Sequence, residues 1–131
     1  MDMEDKPSPT GELALQTIAM PADANASGDI FGGWLVSQMD LAGAVSAHRL
    51  AKGRVATVAI DSMAFIRPVA VGSIVSCYTT ILNIGRSSIS ILVDVWAIHP
   101  GGGELLKVTE GKFTFVAIDE NRRTRAVPVN P

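Results

Sequence analysis

The sequence predicts an α+β fold in which one long central helix packs against an antiparallel β-sheet. Three observations carry this. Residues 33–52 hold neither a proline nor a β-branched run and end just before Gly53, which suits a helix of about five turns. From Val55 onward the apolar pattern alternates with period two, the signature of half-buried strands. Between those strands stand short turn signals and no second helical segment, so the strands must pair as hairpins.

Taken in order, residues 1–12 carry Pro7, Pro9, Gly11 and four acidic residues, and are expected to form a flexible tail. Leu13–Met20 reads as a short strand closed by Pro21. The helix 33–52 is apolar on nearly all sides and should be buried, with Gly53 at its C-cap. Val55–Ile66 is β-rich and stops at Arg67-Pro68, with Gly72 completing a turn. Ser73–Ile84 and Ser87–His99 are long alternating runs joined at Gly85-Arg86, a hairpin signal. Pro100 and Gly101 to Gly103 make the next turn, and Lys107–Ile118 is the last strand, with Phe113 and Phe115 on one face. A single domain spanning 13–127 follows, with a short tail at 128–131.

Of the 131 residues 47% are hydrophobic, enough for a proper core, and the net charge of −2 gives no global attraction to nucleic acid. Arg122, Arg123 and Arg125 crowd near the C-terminus, where they read as a solvated tail or as a phosphate contact. Cys77 is the one cysteine, which rules out an internal disulfide, and it sits in a strand-like run as a small core hydrophobe. The acidic start Met1-Asp2-Met3-Glu4-Asp5 lacks the apolar stretch of a signal peptide. No apolar run approaches the ~18 residues of a membrane helix. The expectation is a cytoplasmic protein.

The chemistry concentrates in residues 23–40. A polar loop bearing Asn25 and Asp29 leads to Gly32-Gly33 and the helix, whose only early charge is Asp40. Free amides at a helix start can hold a developing negative charge. Asp40 shares its helix face with Gly33, Val36, Ser37, Gly43, Ala44 and Ala47, nearly all small. A lone carboxylate in that setting is a candidate base or nucleophile, or else a hydrogen-bonded structural residue. Asn25 reads equally as an Asx-turn residue. The glycines match neither a P-loop nor a dinucleotide fingerprint. His48 and His99 have no partners at metal-ligand spacing, so no metal site is expected. The Gly-x-Ser-x-Gly elbow of serine hydrolases does not occur.

These motifs resemble the hotdog-fold acyl-CoA thioesterases of the YciA type. The likeness lies in Pro21-Ala22-Asp23-Ala24-Asn25, Ile30-Phe31-Gly32-Gly33-Trp34 and Ser37-Gln38-Met39-Asp40. It continues through Gly53-Arg54-Val55, Ser62 to Pro68, Gly85-Arg86-Ser87-Ser88 and Phe113 to Ala117, and so covers nearly the whole chain from Leu13 to Val127. It implies a hotdog fold, a sheet wrapped round the long helix, with subunits pairing as a homodimer and assembling further as a trimer of dimers. It also implies hydrolysis of acyl-CoA to free acid and coenzyme A, with no cofactor beyond the coenzyme A of substrate and product. On that likeness Asp40 is the base or nucleophile, the amide of Gly32 or Gly33 polarises the thioester carbonyl, and Asn25 holds the water or acyl group. Arg67, Arg86, Ser87 and Ser88 are the candidate coenzyme A contacts, with Arg122, Arg123 and Arg125 behind them. A hotdog dehydratase or hydratase would need a histidine–carboxylate pair, and no histidine lies near the helix start. A non-catalytic acyl-CoA-binding or sensing module is the alternative from another class; it would not need both Asn25 and Asp40.

Overall fold

A computed structural model describes residues 8–129, so most of the flexible tail expected at the N-terminus and the last two residues lie outside the described part. Five strands and one long helix follow in the order β1 (Glu12–Ile18), α1 (Gly32–Ala51), β2 (Val55–Asp61), β3 (Ile74–Ile84), β4 (Ser88–Ile98) and β5 (Leu106–Ala117), with a 3-10 turn at Pro21–Asp23. All ladders are antiparallel, and across the sheet the strands run β1-β3-β4-β5-β2. The three longest strands form a meander, and β2 is added beyond β5 as an edge. This is the α+β hotdog arrangement: one helix laid across, and wrapped by, an antiparallel sheet.

The alternation of β4 explains the core. Ile89, Ile91, Val93 and Val95 all point to the helix side and are fully buried, joined by Phe113 and Phe115 of β5. Against them pack Met39, Ala42, Gly43 and Ala47 of α1. The two phenylalanines stack with centroids 6.4 Å apart. Gly43 faces Phe115 so closely that a Cβ there would sit 2.8 Å from the ring. Cys77 is buried in the same core, where burial pushes its thiol up to about 12, so it stays an inert hydrophobe. Two polar contacts fix the far half of the helix: Ser46 Oγ lies 2.7 Å from Thr79 Oγ1, and Arg49 donates to Glu12 at 3.0 Å.

The structure departs from the sequence pattern in three places. The helix is not buried all round, because its outer face leaves Leu41 and Val45 exposed, at 55% and 38%. Lys52, and not Gly53, takes the left-handed C-cap position, with φ 52° and its N–H on the His48 carbonyl. The run expected as one strand to Ile66 stops at Asp61, because Ser62 turns the chain with φ 41°. Residues 62–68 then tuck against β5 at its other end, where Ile66 N–H donates to the Val108 carbonyl and Thr109 Oγ1 to that of Ala64.

Candidate active site

The loop before α1 is folded on itself by Asn25. Its Oδ1 accepts the backbone N–H of Ser27 at 2.9 Å and of Asp29 at 3.2 Å, an Asx-type turn. The carboxamide oxygen is therefore used within the loop, and the NH2 group is what remains to meet a ligand. Backbone bonds from Ile30 to Val69 and from Phe31 to Asp23 stitch this loop to its surroundings. The helix start is thus held on both sides.

Phe31 caps the helix in an extended conformation without a side-chain bond. Its carbonyl accepts the N–H groups of Trp34 and Leu35, while those of Gly32 and Gly33 have no backbone partner among the described residues. The ring of Phe65 covers Gly32, at 3.5 Å from where its Cβ would be; nothing stands within 4 Å of that point at Gly33. A group carrying negative charge can therefore approach the free amides at Gly33 with no side chain in the way.

Asp40 lies two turns further along α1, partly buried, and Thr57 of β2 donates its hydroxyl to Oδ1 at 2.6 Å. That leaves Oδ2 unoccupied. The carboxylate is thus oriented by a strand neighbour that the sequence reading did not single out. The only cue was a hydroxyl inside an otherwise apolar strand, Val55–Ile60. The ladder shifts register between Thr57 and Ala59, so the bulge at Val58 sits immediately beside Thr57. A bulge on an edge strand re-aims the side chains next to it.

Arg86 and Ser87 form the tip of the β3–β4 hairpin, closed by the Gly85 N–H on the Ser88 carbonyl at 2.8 Å. The tip is anchored by Ala117 N–H on Ser87 O and by Val127 N–H on Arg86 O. Arg67 stands at the other end of the sheet, next to the Ile66–Val108 contact. Seven residues of β4 separate the two ends, roughly 23 Å of extended strand. Within one chain, Arg67 and Arg86 cannot grip the same ligand. The C-terminal arginines also divide: Arg122 and Arg123 are exposed on a turn whose N–H groups bond to Asp119, while Arg125 binds the Ile118 carbonyl through Nε at 3.0 Å and packs on Gly53. Arg125 is a brace rather than a free cation. His99 accepts the Gly101 N–H in its own turn, and His48 lies exposed two turns beyond Asp40.

A helix that offers free amides at its start and a hydroxyl-held carboxylate two turns on, laid across this sheet, defines a hotdog thioester hydrolase. Residues 27–104 match the Thioesterase superfamily, to which the chain belongs. Within it the chain is a member of the YciA-type acyl-CoA thioester hydrolases. It is 50% identical to the acyl-CoA thioester hydrolase YciA of Escherichia coli K12 over 124 residues, 92% of this chain and 94% of that one. Its structure is similar to that of a hexameric thioesterase from Yersinia pestis, with a TM-score of 0.90, 50% identity and coverage of 94% of this chain and 100% of that one. It also resembles a hexameric broad specificity acyl-coenzyme A thioesterase solved as an aspartate-to-alanine mutant enzyme, with a TM-score of 0.88, 52% identity and coverage of 91% and 88%.

Proposed function

We propose that this acyl-CoA thioesterase works from composite sites, with Asp40 as base or nucleophile and the glycine amides of a second subunit as oxyanion hole. The observation that carries this is the spacing along α1. Gly32 and Asp40 are eight residues apart on one straight helix, hence about 12 Å. A reacting carbonyl must lie about 3 Å from both its oxyanion donor and its attacker. Antiparallel helices across a two-fold axis bring Asp40 of one chain to the glycine amides of the other, and two equivalent sites result. The same operation brings Arg67 of one chain toward the end of the sheet that carries Arg86 of the other. The hexameric state of the relatives supports a homodimer built further into a trimer of dimers.

In this reading Asp40 takes a proton from water, whose oxygen bonds to the acyl carbon as the C–S bond breaks, or the carboxylate itself attacks and water then releases the acid. The amides stabilise the oxyanion in either route. Asn25 offers its NH2 group to the water or the acyl oxygen. Coenzyme A leaves as thiolate, so no cofactor is consumed. That a relative was solved with an aspartate replaced supports the role of Asp40. A cytoplasmic location belongs to the same reading; no helix among the described residues is long and apolar enough to cross a membrane. Residues 13–127 act as one domain.

Asp40→Asn, nearly isosteric, should keep the melting temperature and lower kcat for acyl-CoA by two or more orders of magnitude, as measured by thiol release. Near-normal turnover in this variant would remove Asp40 from the chemistry. A wild-type protein that bound acyl-CoA without any turnover would instead be a binding module.

A further inference from the structure

A second feature lies at the far end of α1. There the helix end, the tip of the β3–β4 hairpin and the segment Ala126–Val129 enclose a groove of about 620 Å³, a volume that suits a small ligand. Arg49, Lys52 and Arg86 line it, and none of its lining residues is acidic. Leu50, Ile84 and Pro128 supply apolar walls. Cations over an apolar floor are the chemistry of a phosphorylated nucleoside: phosphates for the charges, a flat base for the walls.

Cations at a helix C-terminus are ordinary, since they complement the dipole. Two observations go beyond that. Arg86 comes from a different element, with no dipole to answer. Lys52 holds a left-handed position, φ 52°, that glycine or asparagine occupies at lower cost. A lysine kept at that position is a strain with a purpose. Arg49 is tied to Glu12, but both side chains are mostly exposed, and such a surface pair is readily exchanged for a phosphate.

Distance connects the groove to the site. Arg49 and Lys52 lie nine and twelve residues beyond Asp40, about 14 and 18 Å along the helix. The pantetheine arm of coenzyme A has the backbone length of about four residues, ~15 Å when extended. Between the two ends the helix exposes Leu41, Val45 and His48, an uncharged path for such an arm.

We infer that this groove seats the nucleotide end of coenzyme A, with Lys52 and Arg49 as phosphate contacts beside Arg86. The inference rests on the thioesterase reading above. It is tested by comparing an acyl-CoA with the same acyl group on pantetheine, which lacks the nucleotide. Lys52→Asn and Arg86→Ala should each raise KM for acyl-CoA about tenfold, the loss of one charged contact. Neither should alter kcat or the KM for acyl-pantetheine. Lys52→Asn should also melt no lower than wild type, because asparagine tolerates the left-handed position. Lys112→Ala, on an exposed strand face, should leave both KM values unchanged and controls for net charge. Adenosine 3′,5′-bisphosphate should bind wild type and bind the two groove variants more weakly. Equal changes in both KM values, or none in either, would overturn the assignment. If wild type hydrolysed neither thioester, the thioesterase reading would fail, and nucleotide binding by calorimetry would still decide the groove: binding lost in Lys52→Asn upholds it, and binding unaffected by that change sinks it.

Discussion

Thr57 turns a solitary carboxylate into an aimed one. An unheld Asp40 would rotate about its χ angles; with Oδ1 fixed at 2.6 Å from the threonine hydroxyl, Oδ2 points in one direction. Thr57 is therefore a positioning residue. Thr57→Val keeps the β-branched shape and removes the donor. It should lower kcat about tenfold with little change in KM, while Thr57→Ser should restore most of the loss. A fall in KM-dependent binding alone, or no rescue by serine, would reduce Thr57 to a packing role. At this scale the sequence was informative about which residue carries charge and silent about what touches it. Asp40 stands out because its helix neighbours are small and uncharged. Its partner is on a strand seventeen positions later, where no periodicity rule links the two. Asn25 was ambiguous in the sequence between turn and site, and its bonds to Ser27 and Asp29 show the turn function directly.

At the scale of elements, α1 uses its glycines for opposite purposes. Gly33 stands where a ligand needs open backbone, whereas Gly43 stands where Phe115 leaves no volume. Gly43→Ala should therefore destabilise the protein by about 1–3 kcal/mol, the usual cost of overpacking, in spite of alanine's better helix propensity. Denaturant unfolding would measure it, and a gain in stability would show that the ring shifts freely. Element positions were largely legible because period and punctuation agree: the Gly85-Arg86 hairpin and the Pro100 turn fall where the sequence puts them. Two ends were not. The strand from Val55 reads as continuous to Ile66 because its apolar pattern does not stop, yet the backbone turns at Ser62 to meet β5. The helix cap reads as Gly53 by conformational ease, yet Lys52 takes it. In both places a tertiary contact overrides local preference.

For the whole molecule, the separation of Gly32 and Asp40 predicts sites shared between subunits. Asn25→Ala and Asp40→Ala proteins, each nearly inactive, should complement when subunits are reshuffled, because in the mixed dimer one site collects both changes and the other neither. Random pairing makes about a quarter of all sites wild-type, and activity should climb toward that fraction. Proven exchange without recovery would place Asn25 and Asp40 in one site from one chain. This level was legible only through helix arithmetic and family resemblance. The exposed Val58 and Ile60 on β2, at 56% and 45%, are what a single sequence cannot distinguish from buried strand residues.

The strand order has a kinetic consequence. β2 is next to α1 in sequence but pairs only with β5, at the opposite end of the chain. β5 in turn pairs only with β4 on its other side. Thr57 therefore cannot be presented to Asp40 in register until the β3–β4–β5 meander has formed, and closing that long loop is the slow kind of step. A nascent chain acquires its helix and its core before it acquires an oriented carboxylate. Partly folded molecules are inert, and hydrolytic power arrives with the last strand.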